Sequence, residues 1–297
     1  MKTWISRGLL GLAALLAATA LAAGHVLAQR KMQRVVDVRV SALPIPDGAA
    51  AIERGRYLYA SRGCTDCHGA DGGGRSFIDD GAFRVAGPHI SPGRGSVTAA
   101  YRSEDWVRTL RHGVKPSGRP ALIMPSEDYN RLSDADLGAL VAYLKQMPAV
   151  EGRAAVLELP LPVRVLYAFG QVQDAAEKID HNLPAEPPVA EGATPEHGRY
   201  VVQMCKGCHG ALLAGGRIAG GPPDWPPAAR LTPGSNSAMP RYPDAESFTR
   251  MMKTGQRPDG SRIAVMPFEA LAQMNDTDLR GLHAYLQSLR PVASASR

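Results

Sequence analysis

The chain has 297 residues, 44% of them apolar, which is enough for two compact domains with a core each and excludes general disorder. Its formal charge of +6 is spread along the sequence, without the Lys/Arg runs and interleaved aromatics of a nucleic-acid-binding surface, so no nucleic-acid partner is expected. The 4 cysteines fall in two pairs of identical spacing, which argues against a structural disulfide framework.

The first unit covers residues 1–30. Lys2 and Arg7 precede an apolar run from Gly8 to Ala28, followed at once by Arg30, Lys31 and Arg34. Its length suits a retained transmembrane helix, while Ala22 and Ala28 end plausible cleavage sites of a signal peptide. Both readings export the rest of the chain. The stretch "QRKMQRVVDVRVSALPIPDG" then reads as a semi-rigid tether, stiffened by Pro44 and Pro46.

Residues 48–148 and 191–291 are two copies of one domain. At an offset of 142 Arg108 meets Arg250, Gly113 meets Gly255, and Met124-Pro125 meets Met266-Pro267. Asp134, Asp136, Leu137, Ala142, Tyr143 and Leu144 likewise meet Asp276, Asp278, Leu279, Ala284, Tyr285 and Leu286. Each copy predicts a short helix bearing Gly-Arg-Tyr (55–57 and 198–200), a cysteine motif, a Gly/Pro-rich loop and a helix near 103–112 or 245–254. A Met-Pro loop and a closing helix follow. Ser133 and Asn275 are suitable N-caps of the closing helices, with Asp three residues on in the manner of a capping box. Leu137, Leu140, Val141 and Leu144 recur at helical spacing, as do Leu279, Leu282, His283 and Leu286. No strand alternation stands out, so the fold class expected is all-α. It is a tandem duplication of a small helical domain, preceded by a transmembrane or signal helix. Residues 149–190, rich in Pro and Ala, match neither copy and read as a linker with one short helix around Val163 to Phe169.

The chemistry lies in "CTDCH" (Cys64, Cys67, His68) and "CKGCH" (Cys205, Cys208, His209). Thiols at i and i+3 of one helical turn face the same side and can reach the two vinyl groups of one porphyrin, with the next imidazole over the iron. Zinc needs four donors in a closed site, and a redox dithiol of the thioredoxin kind wants a βαβ context that is missing. The motifs therefore predict two covalently bound haem c groups, with His68 and His209 as iron ligands. Met124 and Met266 stand at matching distance behind the motifs and are the expected second iron ligands, a thioether raising the potential and filling the open position. Met147, Met239, Met251, Met252 and Met274 lack such a match and are assigned to packing. Trp106 and His283 are read as core residues. Arg108, Arg250, Arg111 and Lys253 read equally as partners of haem propionates or as a solvated face. His89, His112, His181 and His197 stay unassigned.

On these motifs, with "IMPSEDY", "VMPFEAL", "DLGALVAYL" and "DLRGLHAYL", the chain resembles the dihaem class I-type cytochromes c of bacteria, over roughly residues 48–148 and 191–291. The resemblance implies one cytochrome fold per half, with first and last helices crossing beside the haem. It also implies that the carbonyl of Pro92 or Pro233 accepts a hydrogen bond from the axial His. The second copy departs in having two residues fewer between Gly-Arg-Tyr and its first cysteine, so its first helix is expected to meet the motif differently.

With His and Met on both irons no position is left for a substrate, so the expected function is single-electron transfer and not catalysis. The partners expected are a dehydrogenase, an oxidase or another cytochrome, at the periplasmic face of the bacterial inner membrane, or in the soluble periplasm after cleavage. The alternatives are a dihaem peroxidase-like enzyme, which needs one iron able to open, and the cytochrome subunit of a membrane-bound dehydrogenase complex. A thiosulfate-oxidising enzyme with a Cys axial ligand would need a fifth cysteine.

Overall fold

A computed structural model describes residues 2–218, 221–222 and 224–290 and, within its first helix, side chains at 12, 15, 16 and from 18 onward. Residues 1 and 291, at the outer limits of the expected first segment and second repeat, lie outside this set. The first helix, α1, runs Lys2–Met32. Among the described residues no helix is long and apolar enough to cross a membrane, and several side chains of the Gly8–Ala28 run lie outside the described set.

The first repeat comprises α2 (Ala49–Ser61), α3 (Cys64–His68), a hairpin of β1 (Ser76–Asp80) and β2 (Phe83–Ala86), α4 (Ser103–His112), a 3-10 turn at Ser126–Asp128 and α5 (Asp134–Gln146). The connector holds β3 (Val156–Glu158), α6 (Leu161–Ala168) and α7 (Ala175–Lys178). The second repeat comprises α8 (Pro195–Val201), a 3-10 turn at Val202–Cys205, α9 (Lys206–His209), a 3-10 turn at Met239–Arg241, α10 (Ala245–Thr254), α11 (Phe268–Leu271) and α12 (Asp276–Ser288).

In each repeat the first helix crosses the last, α2 on α5 and α8 on α12. The crossing is so close that a methyl group on Gly55 would strike the Ala139 carbonyl, and one on Gly198 the Gly281 carbonyl. Glycine in Gly-Arg-Tyr is thus required by backbone contact. The apolar stripes meet there. Leu58, Leu137, Leu140, Val141 and Leu144 are buried in one core, and Val201, Leu279, Leu282 and Leu286 in the other. Trp106 and His283 are buried as expected, the latter with Nε2 2.9 Å from the Tyr242 carbonyl.

Three expectations need correction. The fold is mostly helical, but β1, β2 and β3 form a small antiparallel sheet in that order. These strands are too short to show a period, and β3 joins from more than sixty residues away. Asp80-Gly81 was the local signal: Gly81 takes φ 55° in the two-residue turn that closes the hairpin. Second, the connector is packed and not a free linker. Its helix α6 falls at the expected place, but β3 pairs with β2, α6 packs on α1, and α7 packs on the 126–128 turn. Third, the segment after α1 is not a tether. Val36 N–H donates to the Gly118 carbonyl at 2.8 Å, and buried Leu43 exchanges hydrogen bonds with Ser103 Oγ. Its apolar residues Val40, Leu43 and Ile45 join the first core, which offsets the entropy of a loose chain.

Candidate functional site: two haem-attachment motifs across a pseudo-symmetric interface

In the first motif Gly63 turns the chain at φ 79°, and α3 then puts Cys64 and Cys67 on one face, with no disulfide between them. Burial, with Cys67 and Asp66 nearby, pushes the Cys64 thiol up to about 12, and burial does the same at Cys205. The second motif spans the end of the Val202–Cys205 turn and α9. The two missing residues are absorbed there: α8 passes directly into the 3-10 turn, where α2 ends in a left-handed glycine.

The histidines are held alike. His68 Nδ1 lies 2.9 Å from the Pro88 carbonyl and His209 Nδ1 2.7 Å from the Ala229 carbonyl. A carbonyl can only accept, so Nδ1 carries the proton and Nε2 keeps its lone pair. Burial lowers both pKa values and keeps the rings neutral, the state in which imidazole binds a metal. The accepting residue is not the one expected. Pro92 instead takes the Val150 N–H at 3.2 Å, and Pro233 lines a cavity of about 400 Å³ with Met239, Pro243, Leu286 and Gln287. In both copies the acceptor lies 20 residues after the histidine, a register set by equal loop lengths and not by the proline.

Met124 and Met266 occupy matching turns. Pro125 (φ −81°, ψ 62°) and Pro267 (φ −80°, ψ 65°) form inverse γ-turns in which Ser126 N–H and Phe268 N–H donate to the methionine carbonyls at 2.9 Å. Met124 packs on the core that holds Cys64, and Met266 on the core that holds Cys205. Met147, Met239, Met251, Met252 and Met274, assigned to packing, are buried. Among the described residues no cluster of three or more His, Cys, Asp and Glu side chains could hold a bare ion. The donors therefore fit a haem bound by two thiols and one imidazole better than a zinc site. Of the basic residues considered for propionates, Arg108 pairs with Asp105, Arg111 with Asp134, Arg250 with Glu246 and Lys253 with Asp276.

Sequence reading missed the surface that joins the repeats. The capping boxes are only half made. Ser133 Oγ and Asn275 Oδ1 accept from Asp136 N–H and Asp278 N–H, but the aspartates do not reach back. The cap N–H groups donate instead to the tyrosine hydroxyls of the opposite repeat: Ser133 N–H to Tyr200 and Asn275 N–H to Tyr57, each at 3.1 Å. Each hydroxyl donates in turn to the aspartate, Tyr200 to Asp136 and Tyr57 to Asp278, both at 2.7 Å. The repeated Gly-Arg-Tyr was the available signal. Charge differs between the halves. Asp136 pairs with Arg54 of its own repeat at 2.7 Å, whereas Asp278 holds His197 at 2.7 Å and Arg62 from across the interface at 2.8 Å.

The same surface sets each methionine turn against the other repeat's cysteine motif. The 126–128 turn packs on α9, with Asp128 Oδ1 2.6 Å from where a Gly207 side chain would begin, and α11 packs on α3 while Arg75 pairs with Glu269 at 2.8 Å. Burial and neighbouring Glu127 push Asp128 up to about 8, so it faces the second motif as a neutral acid.

Two family models match the chain, one per half. Residues 50–144 match subunit III of cbb3-type cytochrome c oxidase, and residues 196–290 match cytochrome c. Among curated proteins the chain is 27% identical over 285 residues to the fructose dehydrogenase cytochrome subunit of Gluconobacter japonicus, covering 86% of this chain and 56% of that one. It is 26% identical over 275 residues to the cytochrome c subunit of the quinone alcohol dehydrogenase of Gluconobacter oxydans, covering 82% and 55%. It is 29% identical over 176 residues to the gluconate 2-dehydrogenase cytochrome c subunit of Pantoea cypripedii, covering 54% and 38%. The chain spans about half the length of the first two relatives.

Proposed function

We propose that this chain, a dihaem c-type cytochrome with two covalent haem c groups, passes single electrons from a dehydrogenase to a further redox carrier at the periplasmic face of the inner membrane. When bound, each haem supplies a one-electron iron couple. Cys64 and Cys67 would hold one haem and Cys205 and Cys208 the other, with His68 and Met124, and His209 and Met266, as the residues that would bind the iron. The observation that carries this reading is the pair of histidines with Nδ1 fixed on carbonyls 20 residues on, each beside two thiols on one helical turn. The matching Met-Pro turns favour a carrier over a peroxidase, which needs one iron able to open. The dehydrogenase partner is inferred from relatives named as dehydrogenase cytochrome subunits.

The chain's own residues position the haems. The Pro88 and Ala229 carbonyls fix the imidazole tautomer, the crossing helices keep water from the cores, and the shared interface brings the two motifs together. The reading includes the N-terminal helix as a membrane anchor. Its support is that Gly24 and Ala28 are buried in the fold, and that Lys31 and Arg34 bond to Tyr167 and Asp174.

The test is mass spectrometry and haem staining of denatured protein made with a haem-maturation system. Two haem additions are expected, and the bare polypeptide mass would overturn the assignment. N-terminal sequencing of the native protein checks the anchor, since a start at Ala23 or Gln29 would show a cleaved signal.

A further inference from the structure

We propose that α6 is a second membrane contact, lying in the outer headgroup–acyl boundary of the bilayer beside the anchor and fixing the tilt of both haem domains. This rests on the anchor reading above. At ~1.5 Å per residue, Gly8 to Ala28 spans about 30 Å, the thickness of the hydrocarbon core. The anchor therefore leaves the apolar layer near Ala28, and α6 is packed at that level. Val165 lies against Gly24, Arg164 Nη1 is 3.4 Å from His25 Nδ1, and Lys31 Nζ donates to the Tyr167 carbonyl at 2.7 Å.

Three apolar side chains at α6 are uncovered. Leu161 is 39% exposed, Leu166 46% and Phe169 64%, and Leu166 and Phe169 share a face at i and i+3. α1, which packs on α6, also exposes Leu21, Val26 and Leu27 near that level. The surrounding residues suit a lipid headgroup layer. Arg30 is exposed there, and Lys31 and Arg164 carry long stems that let charge reach water above apolar surface. The helix is also held rigidly. Tyr167 OH donates to Asp174 at 2.6 Å and Arg34 bridges Asp174 at 2.8 Å, which ties α6 to the segment after the anchor. Two contacts joined in this way orient the haem domains, where a single tethered helix would let them swivel.

Covalent haem attachment consumes all four native cysteines, so a single added cysteine can be labelled selectively. Full-length haem-loaded Phe169→Cys, Leu16→Cys and Val97→Cys proteins would each carry a nitroxide in phosphatidylethanolamine–phosphatidylglycerol vesicles. Collision with oxygen and with a water-soluble nickel chelate then reports depth. The expected result is position 16 deep in the acyl chains, 169 at the boundary with oxygen access exceeding nickel access, and 97 fully aqueous. Position 169 as aqueous as 97, with 16 still deep, overturns the second contact and leaves the anchor standing. Position 16 in water removes the anchor reading and this inference together. In native membranes a photo-crosslinker at 169 should mark lipid; an adduct with another polypeptide would assign this face to a partner subunit and overturn the lipid contact.

Discussion

Tyr57 of the first repeat hydrogen-bonds Asp278 of the second at 2.7 Å while accepting the Asn275 N–H, and so caps the closing helix of its neighbour. Tyr200 does the same in return with Asp136 and Ser133. A duplicated sequence thus builds a self-complementary interface within one chain, the arrangement a two-fold dimer would use. The first turns of α5 and α12, which bury Asp136 and Asp278, need donors and acceptors, and each repeat supplies them to the other.

Tyr57→Phe and Tyr200→Phe each remove a hydroxyl that serves one N–H and one carboxylate. Each should lower stability by about 1–3 kcal/mol, the cost of leaving buried polar groups unpaired. Calorimetry of the haem-loaded protein checks this, and the larger loss is expected for Tyr200→Phe, because Tyr200 and Ser133 are buried whereas Asn275 is exposed.

Arg62 and Asp278 form a buried pair, with side chains 4% and 0% exposed. Arg62→Gln removes the buried cation that faces Asp278 and should cost about 3–5 kcal/mol. Arg75→Gln at the exposed pair with Glu269 should cost under about 1 kcal/mol. Denaturant titration of the two variants measures the contrast.

Asp278 should mark the acid limb of stability. Burial opposes its charge, but Arg62, Tyr57 and His197 outweigh burial and hold the carboxyl at about 2, below its usual 3.8. The folded state therefore binds this proton more weakly than the unfolded chain. The contribution, about 2–3 kcal/mol, is fully present above pH 4 and is lost as pH falls toward 2. Asp278→Asn should flatten that limb in thermal melts between pH 2 and 5, and an unchanged slope would falsify the assignment.

Replacing Met124 or Met266 with Ala should open one iron each, lower that haem's potential and admit carbon monoxide. Spectra and redox titration of the single variants test the two positions separately. An unchanged spectrum in both would mean that the sixth ligand lies elsewhere.

Gly55→Ala and Gly198→Ala should each destabilise a repeat strongly, because the added methyl meets a backbone carbonyl that cannot yield without parting the crossing helices. Circular dichroism melts should show a larger loss than for Gly192→Ala, where the nearest atom is a Thr194 methyl at 3.4 Å.

The sequence by itself determined what is local or repeated. Cysteine spacing placed two thiols and an imidazole on one turn, helical periodicity marked α4, α5, α10 and α12, and self-alignment revealed the duplication. These features depend on neighbours within a few residues, where backbone geometry is dictated directly. Only the tertiary structure decided which carbonyl holds each histidine, because that follows from the path of a 20-residue loop, which brings a proline to one histidine and an alanine to the other. It alone paired Tyr57 with Asp278, made a sheet from strands of three to five residues, and packed the connector against α1. Those contacts join residues up to 221 positions apart, and their partners are chosen by burial of polar ends and apolar faces in three dimensions.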